Sequence, residues 1–253
     1  MLPKLYRFAT LIVLAASACL SWAQTEEEDM NFAVGHMGMQ ISRLLQGDTK
    51  DRSATFPKGP YGDIAKGMYQ FVRAERIRVA QLDGRADLAD IEKVSGLEWT
   101  SSPKAALRLI SKISSIYGSA KIAQVKEIEK AKKLGEDNPS DSPMLANFKA
   151  GFRSSFNQKF EKAGSDSFTP FLIFMSRLEE VYHQIDQNKM DVAAIDGPLV
   201  IFKSDRNNLI YDQKLSAMFD AARKLESQYA DQVRKLDDAM NKLKEFGKGT
   251  GSG

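Results

Sequence analysis

The residues able to do chemistry are few. Among 253 residues there are two histidines and one cysteine, too little for a histidine-dependent hydrolase, a zinc site or a disulfide scaffold. His36-Met37-Gly38-Met39 pairs imidazole with thioether, soft ligands that suit Cu(I). His36 and Met39 stand three apart, so one helix could aim both at one ion. One His with one or two Met is an incomplete ligand set, and Met also fills helical cores, so packing is the expected role. Glu180-Val181-Tyr182-His183 has the Glu-x-x-His spacing that di-iron bundles use on two helices. No second copy exists, because Ala33 stands three residues before His36. His183, beside Glu179 and Asp186, lies off the apolar stripe and is expected on a solvated helix face.

Phe148, Phe152, Phe156 and Phe160 alternate with Lys149, Arg153, Lys159 and Lys162. Aromatics among cations can stack single-stranded nucleic acid, but a constant spacing of four makes a single helical face with a charged rim, the pattern of a core stripe. Arg73, Arg76 and Arg78 around Glu75 could bind an anion, but charged neighbours on an exposed helix look the same without a function, so a solvated charged face is expected. No Gly-x-Ser-x-Gly, P-loop or dinucleotide fingerprint occurs, and no carboxylate pair stands out among the 33 acids. No catalytic, cofactor or metal residue is therefore assigned, and a non-enzymatic protein without a cofactor is expected.

The elements that position these residues begin with an export signal. Lys4 and Arg7 precede an uncharged apolar run, Phe8 to Leu20, and Ser21-Trp22-Ala23 offers small residues for cleavage after Ala23. The run is too short to span a membrane. The alternative is a lipoprotein anchored at Cys19. Loss of Lys4 and Arg7 leaves 34 basic residues against 33 acidic ones, which gives no support for a nucleic-acid partner. The triplet Asn138-Pro139-Ser140 is blocked as a sequon by its proline. A mature chain with no cysteine and no sequon points to a bacterial periplasm or to secretion.

Residues 24–29 read as an acidic disordered leader, 30–246 as a helical domain, and 247–253 as a flexible tail. Met30, Val34, Met37, Ile41, Leu44 and Leu45 predict a helix ending at Gly47. A Pro/Gly loop over 57–62 precedes a second helix, about 63–82. Leu88, Ile91 and Val94 predict a short third. Ser102-Pro103, Ser142-Pro143 and Thr169-Pro170 each combine a hydroxyl cap with proline at a helix start. The helix from Pro103 is expected to shift the phase of its stripe at Gly118 and resume through Ile122, Val125 and Ile128. Leu199–Phe202 and Leu209–Tyr211 flank a turn-rich 204–208 and predict a β-hairpin or apolar tongue near 198–211. A long helix with Leu215, Met218, Ala222, Leu225, Tyr229, Val233, Leu236, Met240, Leu243 and Phe246 closes the chain.

The fold class expected is mainly α, an elongated antiparallel bundle with one short β-hairpin insertion. The function expected is that of an exported protein acting by binding another macromolecule, as a periplasmic chaperone-like clamp, scaffold or envelope-associated factor. It would use a protein partner or self-association through the long helix. The alternative is a secreted membrane-active protein that releases the 199–211 tongue and a sheltered Phe171–Met175 cluster at a lipid surface. A third reading is a metal- or haem-binding bundle.

Overall fold

The computed structural model describes residues 28–134, 142–160, 168–196 and 199–249; for 155–160, 232–233 and 235–249 it describes the backbone alone. The expected signal sequence, Cys19 and residues 250–253 lie outside it. Seven α-helices among the described residues are α1 (Glu28–Leu45), α2 (Pro60–Asp83), α3 (Asp87–Ser95), α4 (Pro103–Lys133), α5 (Pro143–Phe160), α6 (Thr169–Gln187) and α7 (Asp205–Gly249). The antiparallel pair β1 (Val192–Asp196) and β2 (Leu199–Phe202) precedes α7. The protein is mainly helical with one small antiparallel sheet.

Helix boundaries follow the chemistry of their ends. Glu28 and Asp29, expected in a disordered leader, are instead the first turn of α1, where carboxylates complement the helix dipole. Pro60, expected in a loop, opens α2 because its missing N–H costs nothing there. At α5 the Ser142 hydroxyl accepts the Leu145 N–H at 3.4 Å. Thr169 departs from the expected capping role. It is already helical, with Phe168 at the cap, and its hydroxyl accepts a hydrogen bond from Lys121. The tail expected from 247 is helical through Gly249.

Among the described residues the chain divides into two compact units, one of 83–122 and 168–230, the other of 28–82, 123–134, 142–160 and 231–249. In the second unit, Met30, Val34, Met37, Ile41 and Leu44 of α1 enter one core with Ile64, Met68 and Val72 of α2 and Phe148 and Phe152 of α5. The 46–59 connection is fastened by Tyr69, whose hydroxyl donates to the Lys50 carbonyl at 2.9 Å and accepts the Arg52 N–H at 3.2 Å. Gly62 of α2 leaves room for that connection: a Cβ there would lie 1.9 Å from the Pro57 carbonyl oxygen. We expect Gly62→Ala to lower stability by about 1–3 kcal/mol, because backbone must move to admit it; chemical denaturation checks this.

In the first unit, Tyr117, Phe168 and Phe171 form a fully buried aromatic cluster, with Tyr117 and Phe171 ring centroids 4.3 Å apart. Tyr182 donates to the Val94 carbonyl at 2.9 Å and joins α6 to α3. Leu97, just past α3, holds a left-handed φ of 60°, which costs about 1–2 kcal/mol for a residue with a Cβ; its side chain is buried in the core. Arg85 grips Asp87 with two hydrogen bonds of 2.9 and 2.8 Å, and Lys112 adds a third contact at 3.1 Å. The Arg85 hydrogen bond, chiefly, holds the Asp87 carboxyl down to about 2. The folded state therefore binds this proton less readily than the unfolded state. Its stabilisation, about 1 kcal/mol after solvent screening, is present above the ordinary carboxyl range and lost as pH falls from about 4 to 2. Asp87→Asn should be less stable than wild type at pH 7 and equal to it at pH 2 in parallel denaturation curves.

The stripe of α4 differs from expectation. It keeps one phase, Ala106–Ile110–Ile113–Tyr117–Ala120–Gln124–Ala131, all buried, while Ile122 and Val125 face solvent. No phase shift occurs at Gly118 because small and polar residues fill the inward positions, and Gln124 finds a buried partner in Glu75 at 3.3 Å.

Candidate functional site

The hairpin stands out from the rest of the chain. Its predicted position is corrected: the partner of Leu199–Phe202 is the upstream strand Val192–Asp196, and Leu209–Tyr211 belongs to α7. Ser204 decides this. Its hydroxyl accepts the Asn207 N–H at 3.4 Å and its carbonyl accepts the Asn208 N–H at 3.2 Å, so the 204–208 run that reads as a turn is a helix start.

A polar lock fastens the hairpin to α7. Asp191 Oδ2 accepts the Ser204 hydroxyl at 2.6 Å, the Asn207 side-chain amide at 2.8 Å and the Ser204 N–H at 3.3 Å. The Ser204 and Asn207 side-chain hydrogen bonds hold the Asp191 carboxyl below its usual range. Asn208 acts as a short neighbouring strand: its Oδ1 accepts the Phe202 N–H at 2.7 Å and its Nδ2 donates to the Phe202 carbonyl at 2.9 Å. This covers the outer edge of β2 at Phe202. The edge of β1 is interrupted by a bulge between Val192 and Ala194, and the Val192 N–H is held by the Lys189 carbonyl. Neither edge presents the unbroken row of peptide groups that recruits a further strand. We expect Asn208→Ala to lower stability by about 1–2 kcal/mol, and to speed hydrogen exchange at Phe202 before that of the α6 core.

What remains open is a face of side chains. Val200 and Phe202 point inward and are buried, while Leu199 and Ile201 alternate outward at 55% and 43% exposure. The register places Asp196 beside Leu199 and Ala194 beside Ile201 on that same face. Met190 at the hairpin base and Leu209 on α7 add exposed apolar groups, 83% and 61%. Lys189, Lys203, Arg206, Asp196 and Asp205 are exposed around them. The apolar run of β2 is visible in the sequence as a tongue; its true strand partner is hidden there because Ala193 and Ala194 are weak β-formers.

The other candidates lie elsewhere. His36 Nε2 is 3.1 Å from Thr55 Oγ1 and 3.2 Å from the Gln40 amide nitrogen, with its ring edge-on to Phe56 at 5.1 Å. Burial, and secondarily Arg43, lowers its pKa. Met37 is buried in the core, whereas Met39 faces solvent. His183 neighbours Glu179 at 3.7 Å, and Glu180 accepts from Arg177. Among the described residues no three ligand-type side chains (His, Cys, Asp, Glu) gather as a metal site would need. Phe148 and Phe152 are buried, with Phe148 edge-on to Tyr61; the side chains of Phe156 and Phe160 lie outside the described residues.

The arginine patch is corrected. Glu75, expected on a solvated face, is fully buried and paired with Arg78, while Arg73 donates to the Thr49 carbonyl at 3.1 Å. The reason is Gln124 of α4, which brings a polar partner to the inward side of α2. The terminal stripe is partly covered too: Met218, Leu225 and Tyr229 are buried, so within the described side chains its inner face is turned to the chain's own core. Phe171, Phe174 and Met175 are likewise buried. No helix among the described residues is long and apolar enough to cross a membrane. No known protein family, curated protein or solved structure matches the chain.

Proposed function

We propose that this is an exported, non-enzymatic protein that acts by binding another protein, and that the outer face of the β1–β2 hairpin is its contact surface. The observation that supports this is the pairing of solvent-facing Leu199 and Ile201 with a backbone held rigid by Asp191 and Asn208. An apolar centre with a polar rim on a preorganised element is the anatomy of a protein interface. The mixed rim, Lys189, Lys203 and Arg206 against Asp196 and Asp205, suits a protein better than nucleic acid, which asks for one sign of charge. It also favours protein over lipid, because Asp196 sits beside Leu199 at the tip and would be drawn with it into an apolar phase.

Within this reading the signal at 1–23 directs the chain to the periplasm or outside the cell. The helices pack as an antiparallel bundle with the 31-residue α4 and the 45-residue α7 as its long members.

The test is a paired substitution, Leu199→Asp with Ile201→Asp. Both side chains face solvent, so unfolding should change by less than about 0.5 kcal/mol, while capture of partner by the immobilised protein from an envelope extract should be lost. Equal capture by wild type and variant would refute the assignment of this face.

A further inference from the structure

Along the exposed face the hairpin carries opposite charges at its two ends. Asp196 lies beside Leu199 at the tip, Ala194 beside Ile201 in the middle, and Lys203 follows Ile201 by two residues toward the base. The inward burial of Phe202 and the 2.7 Å hydrogen bond from the Lys203 N–H to the Asp191 carbonyl continue the strand geometry through Lys203. Its side chain therefore falls on the Ile201 side, with Nζ resting 3.1 Å from the Met190 carbonyl. Among the described residues Asp196 has no ion-pair partner.

A row with acid at one end, aliphatic side chains between and a cation at the other is complementary to its own reverse. Turning one copy by a two-fold rotation about an axis at Ile201 sets Ile201 on Ile201 and places the Leu199–Asp196 row of each copy against Lys203 of the other. The offset from Leu199 to Lys203 is four residues, about 13 Å along the strand, and the rotation reproduces it in both directions. Such a face satisfies the requirement of an isologous interface, in which the same patch serves both subunits.

We propose that the protein bound at this face is a second copy of the same chain, two hairpins packing face to face with Asp196 of each against Lys203 of the other. This rests on the binding role assigned above. The face comprises about half a dozen side chains, well below the roughly 800 Å² per partner of a standard interface, so a weak dimer is expected, with a dissociation constant on the order of 10 µM.

Sedimentation velocity of the purified protein, from well below to well above that concentration, gives the test. Wild type should pass from monomer to dimer. Asp196→Lys and Lys203→Asp should each weaken the dimer more than about tenfold, because like charges then meet twice across the axis. An equimolar mixture of the two variants should dimerise again, since one variant then brings two cations and the other two carboxylates, and opposite charges meet at both contacts. That rescue requires both variants to be folded, which circular dichroism confirms independently. A wild-type monomer at every concentration, or a dimer indifferent to both reversals, would overturn the proposal. The wider binding role is read separately: a photo-crosslinker at Leu199 that captures a protein other than this chain would overturn the dimer and keep the binding role, and one that captures no protein would overturn both.

Discussion

Replacing Glu75 by alanine should cost about 3 kcal/mol, a large effect for a residue that reads in sequence as one more surface acid. The Glu75 side chain is 1% exposed and its partner Arg78 is 16% exposed. Removing the carboxylate leaves a largely buried guanidinium with the charge of Glu127 as partial compensation, and deprives the Gln124 amide of an acceptor. Buried pairs broken from one side lose about 3–5 kcal/mol; the residual exposure of Arg78 places this one at the lower end. The same physics forecasts a rescue. Replacing Glu75, Arg78 and Gln124 together by leucine removes all three interacting polar groups at once, and should return to within about 1–2 kcal/mol of wild type. Urea denaturation of the two variants checks both statements. A mild effect of Glu75→Ala alone would mean that Arg78 reaches water when its partner is lost.

Phe171→Ala should be at least as damaging, about 3–5 kcal/mol. Phe171 is fully buried, its ring tilted against Tyr117 with centroids 4.3 Å apart, and the Tyr117 ring also meets Phe168 edge-on. The void opens in the interior of one compact unit, where the neighbouring rings are too stiff to fold into it. A loss of thermal midpoint on the order of 10 °C, taking about 4 °C per kcal/mol for a domain of this size, fits the core assignment; an unchanged midpoint would contradict it.

Much of the helical layout is legible in the residues. The apolar spacing of three and four in α1, α2 and α6 matches the buried positions, because a helix packed on one side repeats its inward contacts at that period. Ser102-Pro103 and Ser142-Pro143 mark helix starts because proline lacks only an N–H that would be unpaired there. The failures have a common cause, polar groups whose partners are distant in sequence. Gln124 holds an inward place on α4 only because Glu75, 49 residues earlier, is buried opposite it. Periodicity of apolar residues cannot register such a position, so it leads outward to Ile122 and Val125. At the hairpin the difficulty is local competition. Leu209, Ile210 and Tyr211 favour a strand by type, but the Ser204 cap and the Asn208 bridge to Phe202 commit them to the first turns of α7.

The candidate site is half legible. Leu199–Phe202 carries an apolar run that the structure resolves into two residues in and two out. The charges that give the face its direction, Asp196 and Lys203, acquire meaning only from the register of β1 on β2.

Site-specific photo-crosslinking in intact producing cells tests the hairpin face most directly, with the probe at Leu199 and a control at Lys224, an exposed position farther along α7. A binding hairpin face gives a discrete protein adduct from Leu199 that is absent from Lys224, with twice the mass of the chain if the partner is a second copy. Recovery of uncrosslinked protein alone from Leu199, or the same adducts from both positions, would contradict a binding role for the hairpin face.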